Sequence, residues 1–116
     1  MTPFGARVRA LREAKGIQLK QMAADLHVSA AYLSALEHGQ RARPAPGLVM
    51  QIAGYLDCIW DEAEDLKVLA DLSHPRIVID TAGTTPARTE LANRLARRIR
   101  HLPESTIEQL LALLRE

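Results

Sequence analysis

Aromatic residues and cysteines are scarce in this chain. Phe, Tyr and Trp make up 3% of its 116 residues, and Cys58 is the one cysteine. Because strands favour aromatic and β-branched side chains, a core this poor in aromatics favours packed helices over a β-sandwich. A single thiol excludes an internal disulfide, and we interpret Cys58 as a buried thiol in a reducing compartment. The composition therefore predicts a mostly α fold.

Signatures of membrane insertion, metal binding and catalysis are also missing. No apolar run approaches the roughly 20 residues of a membrane span, and no apolar signal core stands at the N-terminus. The four histidines and the one cysteine form no metal-ligand spacing. We find no glycine-rich phosphate loop, no nucleophile with an evident base and no paired catalytic carboxylates. We therefore expect a cytoplasmic protein that is not an enzyme and has no cofactor, no metal and no membrane partner.

Charge is unevenly distributed along the chain, although the formal net charge is only +1. Residues 1–60 hold seven Lys or Arg against four Asp or Glu, whereas residues 61–80 hold two against six. This separation indicates that one face of the protein meets an anion and another does not.

Capping residues, prolines and apolar spacing divide the chain into helical segments. The predicted helices begin at or next to Pro3, Leu19, Ser29, Pro46, Asp61, Pro86 and Ser105. Asp61 with Glu64, and Ser105 with Glu108, have the spacing of capping boxes. The fifth helix should carry Leu66, Leu69 and Leu72 inward. We predict five helices in a domain over residues 1–73, then a segment over 74–116 with a short strand at Arg76–Asp80 and two helices.

The segment from Ile17 to Gly39 predicts a helix-turn-helix. A helix of about eight residues, a three-residue turn and a second helix capped by Ser29 hold that second helix clear of the globule, where it fits the DNA major groove. Ala23 must be small because the two helices cross there, and Val28 anchors the second helix from beneath.

Here the sequence resembles the phage-repressor-like (Xre-type) helix-turn-helix family over about residues 3–72. The matching residues are Gly5-x-Arg7-Val8-Arg9-x-Leu11-Arg12-x-x-Lys15-Gly16, Met22-Ala23-x-x-Leu26-x-Val28-Ser29 and Tyr32-Leu33-Ser34-x-Leu36-Glu37-x-Gly39. The resemblance implies double-stranded DNA as the partner and a nucleoid-associated location. It also implies base-reading positions at Ala30, Ala31 and Ala35 with Ser34 beside them, an Arg12–Glu37 pair between helices, and backbone contact from His38 and the loop after it.

Two positions depart from the family pattern. The family often has Thr-Gln at the start of the second helix, where this chain has Gln18-Leu19, so that Lys20 or Gln21 takes over the contact with a phosphate. The turn position that usually holds glycine is His27, whose left-handed backbone costs roughly 1–2 kcal/mol.

The predicted reading helix has few side chains that can form hydrogen bonds with bases, because alanine has no donor or acceptor in its side chain. Specificity then rests on Tyr32, Ser34, the loop arginines Arg41 and Arg43, and DNA shape. The alternatives are that Tyr32 is a core residue, that Arg12–Glu37 is purely structural and that Arg41 and Arg43 form a solvated loop. The predicted DNA-binding residues are Gln18, Lys20, Gln21, Ser29, Ala30, Ala31, Tyr32, Ser34, Ala35, His38, Arg41 and Arg43.

Residues from Arg76 onward lie outside the resemblance and predict self-association, because their apolar spacing exceeds what one small chain can bury. The predicted dimerisation residues are Ile77, Ile79, Leu91, Leu95, Ile99, Ile107, Leu110, Leu111 and Leu114. We predict a homodimeric transcriptional regulator that represses from a pseudo-palindromic operator. The alternative is an antitoxin or adaptor whose C-terminal helices bind another protein. The basic cluster at Arg94, Arg97, Arg98, Arg100 and His101 is interpreted as a solvated helix face.

Overall fold

The computed structural model describes residues 1–40 and 44–115, which form seven α-helices and no strand. The helices are α1 (Pro3–Ala14), α2 (Leu19–Asp25), α3 (Ala30–Glu37), α4 (Pro46–Tyr55), α5 (Asp61–Asp71), α6 (Pro86–Arg98) and α7 (Glu104–Leu114). The mostly α fold class is confirmed. Within the described ranges, none of these helices combines the length and the hydropathy of a membrane span. The chain divides into two compact units, here called the N-terminal unit (Met1–Ile77) and the C-terminal unit (Val78–Glu116).

The N-terminal unit closes around an aliphatic core to which all five of its helices contribute. Its buried apolar side chains include Phe4 and Val8 of α1, Met22 and Ala23 of α2, Leu33 and Leu36 of α3, Val49, Ile52 and Ala53 of α4, and Leu66 and Ala70 of α5. Each large aliphatic side chain in such a core contributes about 1.5–3 kcal/mol to folding. Cys58 is also buried, as predicted, and burial raises the pKa of its thiol. The N-terminal unit therefore has a closed apolar core of its own.

Left-handed residues end four of the helices in this unit. They are Gly16 after α1, His27 after α2, Gly39 after α3 and Asp57 after α4, with φ of 67°, 59°, 74° and 57°. A left-handed residue just past the helix lets backbone N–H groups return to the last carbonyls, and glycine adopts this conformation without steric cost. His27 and Asp57 therefore hold a backbone conformation that their Cβ atoms disfavour.

Both predicted capping boxes are wrong. The N-cap of α5 is Trp60, with φ of 50° and no side-chain cap, so Asp61 is already the first helical residue. The N-cap of α7 is Pro103, which places Ser105 inside the helix. A capping box needs its first residue outside the helix in extended backbone, and neither predicted residue meets that condition. The acidic side chains in the first turn of α5 still interact favourably with the helix dipole.

The predictions for Leu72 and for the strand at Arg76–Asp80 also differ from the structure. Leu72 is the C-cap of α5 and is 65% exposed, because the helix ends before this position can turn inward. The strand is not observed: no backbone hydrogen bond joins residues 77–79 to another described segment. Ile77, Val78 and Ile79 are all exposed. A lone segment has no neighbour to supply a ladder of hydrogen bonds, so its apolar spacing alone cannot make it a strand.

The C-terminal unit consists of two short helices, α6 and α7, joined by residues 99–103. Thr85 caps α6 by accepting a hydrogen bond from the Arg88 N–H at 3.3 Å. Neither helix has a buried residue. An open apolar groove of about 470 Å³ runs along the unit, lined by Leu91, Leu95, Ile99, Leu102, Ile107, Leu110, Leu111, Leu113 and Leu114 together with Arg94 and Arg98. This unit therefore has an apolar face without a closed core.

Candidate nucleic-acid interface

A tight turn joins α2 to α3 and sets the angle between them. The His27 N–H donates to the Ala24 carbonyl at 3.2 Å, and the Val28 N–H donates to the Ala23 carbonyl at 3.0 Å. This pair of bonds satisfies the last carbonyls of α2 and turns the chain sharply. Val28 packs against the core and Ala23 is buried at 2% exposure, where a larger side chain would separate the two helices.

Helix α3 has one buried face and one open face. Ser29 caps it by accepting a hydrogen bond from the Tyr32 N–H at 3.0 Å. Leu33, Leu36 and Glu37 are buried. Ala30, Ala31 and His38 are exposed, and Tyr32, Ser34 and Ala35 are half-buried. The small side chains on the open face leave the helix backbone accessible to a large ligand. The ring of Tyr32 packs against the core, which supports the core interpretation of this residue.

The hydrogen-bond contacts of His38 indicate which of its ring nitrogens carries the hydrogen. Its Nδ1 lies 2.8 Å from the carbonyl oxygen of Ser34 and 3.5 Å from the Ser34 Oγ. A carbonyl oxygen only accepts, so Nδ1 carries the hydrogen. In the neutral ring, Nε2 is then left as an acceptor. His38, the C-cap of α3, thus offers an exposed ring nitrogen to a ligand.

An ion pair ties α3 to α1. The Arg12 Nε donates to Glu37 Oε2 at 2.9 Å, the Arg12 Nη2 donates to Glu37 Oε1 at 3.2 Å, and the Arg12 Nη1 donates to the Ile17 carbonyl at 2.9 Å. The side chains of Arg12 and Glu37 are 11% and 1% exposed. The hydrogen bond to Glu37 raises the pKa of Arg12 despite the opposing effect of burial. A two-pronged pair of this kind fixes orientation as well as distance, so Arg12 sets where the end of α3 lies.

Close backbone contact holds the same two helices together. A Cβ on Gly5 would lie 2.3 Å from the Glu37 carbonyl oxygen and 2.8 Å from the Glu37 Cα. Such distances are far inside van der Waals contact, so α1 and α3 can approach this closely only because residue 5 is glycine. Gly39, just past α3, is similarly close to Thr2, whose Cγ2 would lie 2.8 Å from an added Cβ. The N-terminus of α1 thus packs directly on the end of α3.

Helix α2 presents polar side chains beside α3. Gln18 is its N-cap but makes no side-chain cap bond, and Lys20 is exposed. The Gln21 Nε2 donates to Asp25 Oδ1 at 2.9 Å, and the Tyr55 hydroxyl donates to Asp25 Oδ2 at 2.6 Å. This hydrogen bond to Asp25 raises the pKa of Tyr55. Asp25 therefore links α2 to α4 and orients Gln21, a role that our sequence reasoning missed because 30 residues separate Asp25 from Tyr55.

The predicted DNA-binding residues fall into two groups. Those from Gln18 to His38 lie on α2, the turn and α3, where the structure brings them into one continuous segment. Arg41 and Arg43 lie outside the described residues. Of the predicted dimerisation residues, Ile77 belongs to the N-terminal unit, and the others, from Ile79 to Leu114, belong to the C-terminal unit.

Comparison with known proteins decides the family. The family described as helix-turn-helix domain matches residues 3–72, more than half of the chain and nearly all of the N-terminal unit. The chain belongs to this helix-turn-helix family. The resemblance inferred from the sequence is thereby confirmed, and α2, the His27 turn and α3 are the helix-turn-helix itself.

Two curated relatives carry the same motif. The chain is 36% identical over 56 residues to the uncharacterized HTH-type transcriptional regulator RghRB of Bacillus subtilis (strain 168), covering 48% of this chain and 40% of the relative. It is 40% identical over 53 residues to the HTH-type transcriptional repressor RghR of the same organism, covering 46% of this chain and 39% of the relative. The chain thus matches less than half the length of either relative. No solved structure matches it significantly.

Proposed function

We propose that this protein is a sequence-specific transcriptional regulator that binds double-stranded DNA through α3 and represses from a pseudo-palindromic operator. The observation that supports it best is the open face of α3. A helix capped by Ser29 exposes the small side chains of Ala30 and Ala31, with Ala35 half-buried beside them, while Leu33 and Leu36 anchor the helix in the core. A bare helix of this kind can enter the major groove deeply. The relatives named as transcriptional regulators support the same function.

The side chains of α3 and its surroundings make different kinds of contact with DNA. Alanines contact thymine methyl groups and let the backbone approach, but they form no hydrogen bonds with bases. Ser34 of this helix and His38 at its C-cap can then form hydrogen bonds with base edges, with the His38 Nε2 accepting from an exocyclic amine. Lys20 and Gln21 of α2, with Arg41 and Arg43, supply phosphate contacts. Part of the specificity then comes from DNA shape.

Selection of bound duplexes from a random pool at fixed salt tests this function. We expect an enriched inverted repeat whose half-sites lie about one helical turn apart. Ala31→Glu should abolish this enrichment, because a carboxylate on the open face of α3 repels phosphates. Ala24→Glu is the matched control, since Ala24 is exposed on α2. A pool without an enriched sequence, or equal loss in both variants, would contradict the proposal.

We also propose that the C-terminal unit makes the protein a homodimer. Leu91, Ile99 and Leu114 are 64%, 52% and 79% exposed, and no residue of α6 or α7 is buried. A second copy is the occupant favoured by charge. Arg94 lies along the apolar groove, while α7 carries Glu104 and Glu108, so two copies related by a two-fold axis offer each other opposite charges.

The dimer is tested by replacing Leu110 and Leu114 with glutamate. We expect the mass in solution to fall from dimer to monomer, and affinity for a two-half-site duplex to fall toward that for a single half-site. The matched control replaces the exposed Gln109 and Ala112 with glutamate. An unchanged mass would overturn the dimer. Copurification of the parent chain with a stoichiometric foreign protein in place of a second copy would favour the alternative function, an antitoxin or adaptor.

A further inference from the structure

The helix-turn-helix of this protein is poor in cations. Over residues 17–40, Lys20 is the one Lys or Arg. In α1 and its cap, Arg9 pairs with Glu13 at 2.7 Å, Arg12 with Glu37 at 2.9 Å, and Lys15 with Asp57 at 3.3 Å. Arg7, also on α1, is exposed and has no ion pair with a described residue. Most of the electrostatic part of DNA affinity comes from cations that neutralise phosphates. The segment that would enter the groove therefore supplies little of that attraction.

The opposite holds at the end of α6. Residues 91–103 include four arginines, at positions 94, 97, 98 and 100, and no acidic residue. The Arg94 Nε pairs with Glu90 at 2.7 Å. Arg97, Arg98 and Arg100, here called the arginine cluster, have no ion pair with any residue that the structure describes, and all three are exposed. This is a local concentration of uncompensated positive charge.

Helix termination alone does not account for the cluster. Cations in the last turn interact favourably with the helix dipole, which accounts for Arg97 and Arg98. Arg100 lies beyond the end of α6 at Arg98. The cluster is also separate from most of the apolar groove, because Arg98 lines it but Arg97 and Arg100 do not. These two guanidiniums therefore lie outside the groove that the proposed second copy would occupy.

We propose that the arginine cluster is a second DNA-binding surface, which contacts the phosphate backbone without reading bases. Guanidinium groups bind phosphate oxygens with two parallel hydrogen bonds and keep their charge at every physiological pH. This inference rests on the proposed function, because the ligand is the same duplex. Once the helix-turn-helix is bound, the covalent link raises the effective concentration of that duplex near the cluster. An acidic protein would lack that advantage, so DNA is the favoured partner.

The test compares two triple variants of the full chain. R97Q/R98Q/R100Q removes the cluster, and R76Q/R88Q/R115Q removes the same charge from three exposed arginines elsewhere. Affinity for an operator duplex and for a random duplex is measured by fluorescence anisotropy. If each arginine contacts one phosphate, the cluster variant should lower the slope of log affinity against log salt by about 2.7 per bound chain. Between about 50 and about 200 mM salt, that is about a 40-fold smaller loss of affinity than in the parent.

Further outcomes separate this proposal from simpler explanations. Both duplexes should weaken by a similar factor, and R97K/R98K/R100K should restore most of the slope. Equal slope changes in the two glutamine variants would reduce the effect to net charge, and no change would identify a solvated helix face. Loss of a copurifying acidic protein with an unchanged DNA slope would assign the cluster to protein binding. If the parent chain binds no duplex, the proposed function itself fails, whereas normal binding by parent and cluster variant rejects this surface alone.

Discussion

The N-terminal and C-terminal units differ in how far each can bury its apolar side chains alone. In the first, Leu33, Ile52 and Leu66 are at most 1% exposed, and in the second no helical residue is buried. Five helices arranged around one centre can cover each other's apolar faces, whereas two short helices leave theirs open. A helical apolar stripe in the sequence therefore indicates the need for a partner surface but not where that surface lies.

The largest expected loss of stability comes from breaking the ion pair that joins α1 to α3. Arg12→Leu leaves the Glu37 carboxylate buried without a counter-charge, which should lower the free energy of unfolding by about 3–5 kcal/mol. Arg9→Leu is the matched control on the same helix, because its pair with Glu13 is exposed and should contribute at most about 1 kcal/mol. Chemical denaturation measures both. Similar losses would mean that burial of Glu37 does not distinguish the two pairs.

The next largest effect on stability is expected from truncating a core leucine, compared with truncating a leucine that lines the apolar groove. Leu66→Ala should lower the free energy of unfolding by about 2–5 kcal/mol at any protein concentration, because the cavity forms inside one chain. Leu110→Ala should destabilise only where the dimer is populated, so its effect should shrink on dilution by about 100-fold. Thermal unfolding at two concentrations checks this. A concentration-independent effect at Leu110 would show that the C-terminal unit folds without a second copy.

A smaller loss of stability is expected from a substitution where α1 contacts the backbone of α3. Gly5→Ala places a methyl group 2.3 Å from the Glu37 carbonyl, so the helices must separate, at about 1–3 kcal/mol. DNA affinity should fall with it, because the end of α3 moves. Gly54→Ala in α4 is the control: beyond its chain neighbours and its own helix backbone, nothing lies within 4 Å of its added Cβ, and stability should rise by about 0.5–1 kcal/mol. Equal behaviour of both variants would exclude a close contact at Gly5.

The smallest expected effect is a gain in stability from a substitution in the turn of the helix-turn-helix. His27→Gly relieves a left-handed backbone that costs about 1–2 kcal/mol, while glycine adds about 0.5–1 kcal/mol of chain entropy to lose on folding. The expected net gain is about 0.5–1 kcal/mol, measured by thermal unfolding. Gly16→Ala, at the equivalent position after α1, should have the opposite sign. A loss of stability in His27→Gly would indicate that the imidazole makes a stabilising contact.

Local chemistry explains which parts of the structure were predictable. Ser29 was recognised as an N-cap because a hydroxyl just before an apolar repeat satisfies an N–H of the first turn, and it makes that bond. Thr2 makes the same bond at the start of α1. Asp61 and Ser105 have the same spacing to a glutamate but lie inside their helices. The difference is decided by Trp60 and Pro103, whose backbones precede those helices and carry no capping side chain.

Contacts over long sequence separations were not predictable in this way. The Phe4 N–H donates to the Ser73 Oγ at 2.9 Å, which joins the start of α1 to the end of α5 across 69 residues. Asp25 meets Tyr55 between α2 and α4. No local pattern marks such pairs, since any exposed serine or aspartate has the same sequence appearance. Only the packing of the core brings them together.

The sequence by itself determined the helical class, the helix-turn-helix and the scarcity of hydrogen-bonding side chains on α3. Helix caps, the apolar period and small residues are all properties of short segments. Tertiary structure decided which apolar stripes are covered, that residues 77–79 remain unpaired, and that Gly5 and Arg12 set the position of α3. It also showed that Arg9 and Arg12 of α1 are paired, while Arg97, Arg98 and Arg100 have no ion pair with a described residue. These properties depend on distances between segments, and a sequence specifies such distances only through the folded core.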